Sequence, residues 1–174
     1  MPNTRTQFWE QALTLLQQEP PSFDAIDVLL QAHDGGQSLI AAPSPSGVLD
    51  GVEHPVGGPP DEHDRGARGF LIPWQSEVWT EVHGHPPLMY MAVISGALLI
   101  DTFSRPDPEG PPVHRETITV RAGQAFHAAA SNDRFDNFIH RLRCLEPTWS
   151  LHIYGDDPSL GLRFDSHGQV SESE

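Results

Sequence analysis

The chain has 174 residues, enough for one domain with a substantial core and too few for two. Its formal net charge of −14 would repel nucleic-acid phosphates and anionic membranes, so neither is expected as a partner. A single cysteine, Cys144, excludes an internal disulfide; with no basic-then-apolar leader and no apolar run long enough to span a bilayer, the sequence reads as a cytoplasmic protein.

At the N-terminus Phe8, Ala12, Leu15 and Leu16 fall at i, i+4, i+7 and i+8, the apolar stripe of a helix. Thr4 with Gln7 is a candidate capping box, and Pro20-Pro21 stops the run. A second short helix is expected after Ser22 as N-cap, with Asp24 and Asp27 near its start and Phe23, Ile26, Leu29 and Leu30 on one side. Gly35-Gly36 ends it. From 41 to 68 the chain is dense in Pro, Gly and acidic residues, a long irregular segment of the kind that forms lids or binding loops.

Strands are then expected at 70–74, 77–82, 89–95, 97–103, 116–120, 124–128, 137–144 and 148–154, each short and rich in β-branched and aromatic residues. Ser95-Gly96 reads as a tight hairpin and Ala122-Gly123 as the start of another, while the Pro- and Gly-rich stretch from Ser104 to Pro112 is a loop. With 17 Pro, 15 Gly and no helix between the strands, antiparallel sheets closing as a sandwich or small barrel are the expected architecture. This divides the chain into N-terminal helices and loop (1–68), a β-barrel (69–164) and a polar acidic tail (165–174).

Ten histidines make a metal site worth seeking. His83-Gly84-His85 on a strand would put both imidazoles on one face, close enough for one ion. His140 lies in a later strand whose imperfect alternation leaves its direction open. Ser150, His152 and Tyr154 alternate along the last strand and share a face; aimed into a barrel, three polar side chains need partners or a site to serve. His33, His54, His63, His114 and His167 fall in loop or terminal sequence and read as solvated.

Together these pieces resemble a known family. His83-Gly84-His85, followed by Met89 and Gly96, resembles the first motif of the cupins, H-x-H with a later acidic position and then a glycine. Met89 stands at the acidic position. Most cupins complete their metal site with that glutamate, whereas the thiol dioxygenases, cysteine dioxygenase among them, use three histidines. His140-Arg141 resembles the His-Arg of their second motif, and the run from Glu146 to Tyr154 is similar to their Glu-Pro-x-x-Ser-Leu-His-x-Tyr segment. Trp74 falls where that family often has a tryptophan.

The resemblance implies a cupin, jelly-roll-like β-barrel with a short N-terminal helical pair. It implies mononuclear iron(II) held by His83, His85 and His140, and oxidation of a small thiol by dioxygen to a sulfinate. It implies also that Ser150, His152 and Tyr154 form a hydrogen-bonded chain whose tyrosine hydroxyl lies near the substrate. Members that use cysteine have an arginine for the substrate carboxylate well before the first metal histidine. Here no arginine is in register. Arg65 and Arg68 are the nearest and read as solvated surface charges, with Arg68 and Met89 the substrate-contact candidates. Weak activity on free cysteine is therefore expected, relative to thiols with no carboxylate or with one placed differently. Met89 or Tyr90 occupies the region where some animal enzymes carry a cysteine linked to the tyrosine, so no thioether is expected. Cys144 replaces an asparagine of the second motif and reads as a small strand residue. The same three histidines would equally serve another metal-dependent cupin enzyme, a different dioxygenase or an isomerase, or a non-catalytic ligand-binding cupin. Nothing in the pattern specifies an oligomeric state.

Overall fold

A computed structural model describes residues 4–41, 66–75, 77–130, 134–165 and 169–170. The Pro- and Gly-rich stretch 42–65 with Arg65, most of the acidic tail, the Thr4 side chain of the candidate capping box, and His54, His63 and His167 lie outside them.

The apolar stripes of the N-terminus form α1 (Thr4–Leu16) and α2 (Phe23–Ala32), and a 3₁₀ turn at Asp34–Gly36 leads into a short third helix, α3 (Gln37–Ala41). Helix α3 was not expected, since Gly35-Gly36 reads as a stop. Both glycines take positive φ (61° and 94°), turning the chain rather than ending the helical region. Ser22 precedes α2, but its side chain makes no cap hydrogen bond; its backbone N–H is spent on the Leu15 carbonyl. The buried Arg5 guanidinium donates to the Leu39 carbonyl and ties α1 to α3.

Seven strands follow: β1 (Arg68–Trp74), β2 (Val82–His85), β3 (Leu88–Ser104), β4 (Val113–Arg121), β5 (Ala125–Ala129), β6 (Asn137–Tyr154) and β7 (Arg163–Phe164). All described pairings are antiparallel. Strands β3 and β6 are long and pair along most of their length, with bulges near their middles. One half of the pair is flanked by β5 and β1, the other by β4 and by β2 with β7. Long strands that switch layers at bulges are how two sheets share a corner.

The expected Ser95-Gly96 hairpin is therefore absent: Gly96 (φ 78°) is the corner of a continuous β3. A Cβ there would sit 2.3 Å from Thr148 Oγ1 and 2.4 Å from the Pro147 carbonyl. Thr148 fills that space, accepting from the Ala97 N–H (2.9 Å) and donating to the Glu146 carbonyl (2.7 Å). Ala122-Gly123 starts no hairpin either. Strands β4 and β5 both pair with β3, and the turn between them bonds back to Gly96 and Val93. The expected strands 137–144 and 148–154 are likewise one strand. Residues 77–81 form none: Thr80 donates its N–H to the Leu142 carbonyl (2.9 Å), but the Leu142 N–H goes to Thr80 Oγ1 (3.0 Å) and not to a backbone carbonyl.

Alternation along β3 divides the core in two. Tyr90, Ala92 and Ile94 join Leu71, Leu151 and Ile153 under the helices, packed on Phe8, Trp9, Leu16, Ile26 and Leu39. Met89, Met91 and Val93 face inward with Leu98, Ile100, Val120, Leu142, Cys144 and Tyr154. This is a mainly β, antiparallel architecture with helices at the N-terminus, as the resemblance implies. Among the described residues no helix is long and apolar enough to cross a membrane.

Candidate metal centre

Strand β2 lies beside the start of β6, with His83 opposite His140 and a bulge before His85 pairs with Asn137. Glycine between the two histidines is a spatial requirement: a Cβ on Gly84 would stand 2.6 Å from the Phe135 carbonyl. On β6, Phe138 takes φ 44°, uncommon for a residue with a side chain and costing roughly 1–2 kcal/mol. That irregularity accompanies the direction the sequence left open. His140 turns inward and is 1% exposed.

The three imidazoles converge, with ring centroids 4.7–4.9 Å apart and candidate ligand atoms all within 4.8 Å of one another. Two are oriented from behind. His83 Nδ1 donates to the Glu81 carbonyl (2.9 Å), and His140 Nδ1 donates to the Phe138 carbonyl (3.1 Å). Both bonds leave Nε2 bare, as a ligand requires. Asn137 Nδ2 donates to the His85 carbonyl and steadies the third ring's backbone.

His85 supplies the test of whether a cation fits. Its Nε2 stands 3.5 Å from His140 Nε2, and its Nδ1 is buried with no hydrogen-bond partner. If Nδ1 carries the proton, two bare nitrogens face each other. If Nε2 carries it, the bond to His140 is at the limit of length and Nδ1 is an unmet acceptor. A divalent ion between the two Nε2 atoms answers the facing lone pairs, since two nitrogens each about 2.1 Å from one ion stand roughly 3.0–3.5 Å apart. Burial holds His83 below the ordinary imidazole range and His85 and His140 well below it, with the neighbouring rings adding to the last two. Neutral imidazoles are the ligating form.

Tyr154 stacks on His85, with centroids 5.3 Å apart and planes 13° from parallel. Its hydroxyl lies 3.0 Å from His152 Nδ1, and His152 Nε2 lies 2.7 Å from Ser150 Oγ. The structure thus brings Ser150, His152 and Tyr154 into one hydrogen-bonded chain ending against the histidine group. The Trp74 indole extends it, Nε1 donating to Ser150 Oγ at 2.7 Å. Residues alone did not mark that link; only Trp74's place in the resemblance pointed to it. Burial pushes His152 down to about 3 and raises the Tyr154 phenol, so both stay neutral near pH 7.

Arg68 is not the solvated charge expected of it. It is 5% exposed and lies opposite Tyr154, which lies opposite Met89. Directly opposed residues share a face, so Arg68, Tyr154 and Met89 form one inward row. The Arg68 guanidinium donates to the Gly66 carbonyl (2.9 Å). The row was hidden because register cannot be read from β1 alone. Met89 is fully buried, and Tyr90 points the other way, donating to Asp27. Cys144 is buried in the inward cluster. His33 is half-buried edge-on to Phe8, whereas the side chain of His114 is half exposed.

No protein-family model matches the chain, and no curated protein matches it. Similar solved structures include a cupin superfamily protein from Desulfitobacterium hafniense, 16% identical over 69% of this chain and 86% of that one, with a TM-score of 0.44. An oxalate decarboxylase from Bacillus subtilis is 15% identical over 63% of this chain and 25% of that one (TM-score 0.39). A DMSP lyase structure is 23% identical over 53% and 42% of the two chains (TM-score 0.38). This chain thus spans less than half the length of the last two.

Proposed function

We propose that this protein is a mononuclear iron(II) dioxygenase that converts a small thiol to its sulfinate. The observation that carries the reading is the Ser150–His152–Tyr154 chain ending on the ring stacked against His85. Three neutral nitrogens from His83, His85 and His140 would hold the ion. Iron(II) bound there supplies open coordination positions and, like other bound cations, favours the thiolate form of a thiol ligand. A shell without a carboxylate leaves the site more positive, which suits an anionic substrate.

The chain's own residues divide the remaining work. The Tyr154 hydroxyl gives or holds a hydrogen bond at the substrate end, oriented by His152 and Ser150. Arg68, in the same inward row, is the cation for a substrate carboxylate, its planar fork matching both oxygens. Met89 supplies apolar wall beside the tyrosine. Arg68 buried in that row supports carboxylate-bearing thiols as the substrate class.

The test is oxygen consumption by iron-loaded protein with cysteine, 3-mercaptopropionate and cysteamine, with sulfinate identified by mass spectrometry. One carboxylate thiol should be oxidised well and cysteamine poorly. Arg68→Gln should raise KM for the carboxylate thiol roughly 10–100-fold, the worth of a hydrogen bond to a charged group, and leave cysteamine unchanged. If no thiol consumes oxygen while the metal stays bound, a different metal-dependent reaction or ligand binding takes the place of this reading.

A further inference from the structure

Phe138 takes a left-handed backbone, φ 44°, two positions before His140, and its carbonyl accepts from His140 Nδ1 at 3.1 Å. Glycine or asparagine would present the same carbonyl at less backbone cost, since a bulky side chain at positive φ is disfavoured. The carbonyl alone therefore does not account for a phenylalanine here, and its ring becomes the feature to explain. That ring packs on the inward cluster, with its centroid 5.0 Å from His140, 6.5 Å from His85 and 4.9 Å from Phe126. The two imidazoles are 1% and 3% exposed, whereas Phe138 and Phe126 are half-buried. A ring that stands against two sealed imidazoles and itself meets solvent is part of what covers them. The inward side chains Met89, Met91, Leu98 and Ile100 have no accessible surface, so no space opens beside them. The bulk of anything bound at the histidines is therefore met by the half-buried side chains of this face.

We propose that Phe138 is a specificity-determining residue of the metal centre: its ring, with Phe126 beside it, walls the approach to the histidine group and admits small ligands while excluding bulky ones. The wall acts by steric overlap, the means by which a site rejects a wrong ligand without binding the right one more tightly. That the admitted ligands are thiols rests on the thiol-oxidation reading, where the wall confines the substrate to a short, slender thiol. The wall itself rests only on the histidine group holding an ion.

The experiment is visible absorption of the full-length chain loaded with cobalt(II) and titrated with imidazole as the small probe and 4-phenylimidazole as the large one, which needs neither thiol nor turnover. The unaltered protein should bind imidazole at least roughly tenfold more tightly than 4-phenylimidazole, the lower end of what pocket shape contributes to discrimination. Phe138→Gly removes the ring and keeps the left-handed backbone, so bound cobalt should stay at the unaltered level. In this variant 4-phenylimidazole should gain at least roughly tenfold in affinity, with imidazole changed by less than about threefold. Phe138→Asn, which also tolerates positive φ, should behave alike and serves where the glycine variant does not fold. Equal affinities for the two probes in the unaltered protein overturn the wall with no variant needed, as does an unchanged affinity for 4-phenylimidazole in a folded variant. Equal gains for both probes overturn selection by size, and cobalt lost from both variants assigns Phe138 to holding His140 instead. No cobalt spectrum in the unaltered protein overturns the metal centre and the wall with it, whereas a wall found without thiol turnover sets aside the thiol reading alone.

Discussion

Tyr154 joins two groups of side chains that the fold brings from different strands: its ring stacks on His85 of the three histidines, and its hydroxyl bonds to the Trp74–Ser150–His152 chain. It is not a candidate ligand, so its chemistry separates from metal retention. Tyr154→Phe keeps the ring on His85 and removes only the O–H. Turnover of the thiol that the unaltered protein oxidises should fall roughly 100-fold or more, the usual scale for a positioned proton donor, while iron content measured by atomic emission stays near that of the unaltered protein. Loss of iron in this variant would assign the tyrosine to holding the metal shell instead. The histidines should behave in the opposite way. His83→Gln removes a bare Nε2 at the most accessible of the three rings, and bound iron should drop well below one per chain. Substitution of His33, which packs on Phe8 away from the group, should leave iron unchanged.

At the scale of elements, the bulged corner of β3 and β6 decides which side chains face inward. Gly96→Ala combines a left-handed φ with a Cβ driven into Thr148 and Pro147, and should cost about 2–5 kcal/mol in urea unfolding. Gly123→Ala is the control: its φ is 84° but the space beside it is open, so only about 1–2 kcal/mol should be lost. Equal losses would show that φ alone matters and that the corner has room to relax. This corner is also where the sequence was hardest to read. The H-x-H pair and the alternation of Ser150, His152 and Tyr154 were legible because both are short and local, and a period of two survives any register. Ser95-Gly96 looked like a hairpin because a glycine between two apolar runs suits a turn and a bulge equally. What separated the two was Thr148, some fifty residues away in sequence. Arg68 failed for the same reason: its neighbours in sequence are a polar loop, and only pairing with β6 shows that it is buried.

Considered as a whole, the molecule keeps four rings, His83, His85, His140 and His152, neutral in its interior at a pH where an unfolded chain would begin to protonate them. For each, the folded pKa lies below the ordinary value of about 6.5. Above that value neither state binds the proton and stability is unaffected. As pH falls below it, the unfolded chain takes up protons that the fold refuses, so stability drops toward the folded pKa by up to about 1.4 kcal/mol per pH unit per ring. Four rings together approach about 5 kcal/mol per unit, a large share of a typical domain's stability. Asp101 adds a loss in the same direction at lower pH. Burial raises its carboxyl, but hydrogen bonds from Thr117 and Arg141 outweigh that and hold it below the ordinary value, so its contribution disappears as it protonates. The net charge of −14 works the other way, since self-repulsion relaxes as acid is added, but exposed charges are screened within about 8 Å at physiological salt and the buried rings are not. The expected outcome for the metal-free chain, followed by urea unfolding from pH 8 to pH 5 at 0.15 M salt, is a plateau above about pH 7 and a steep fall below about 6.5. His83→Gln should make the fall shallower. A stability that stays flat to pH 5 would mean that these histidines take up protons inside the fold, and would set aside the buried neutral cluster on which the metal centre depends.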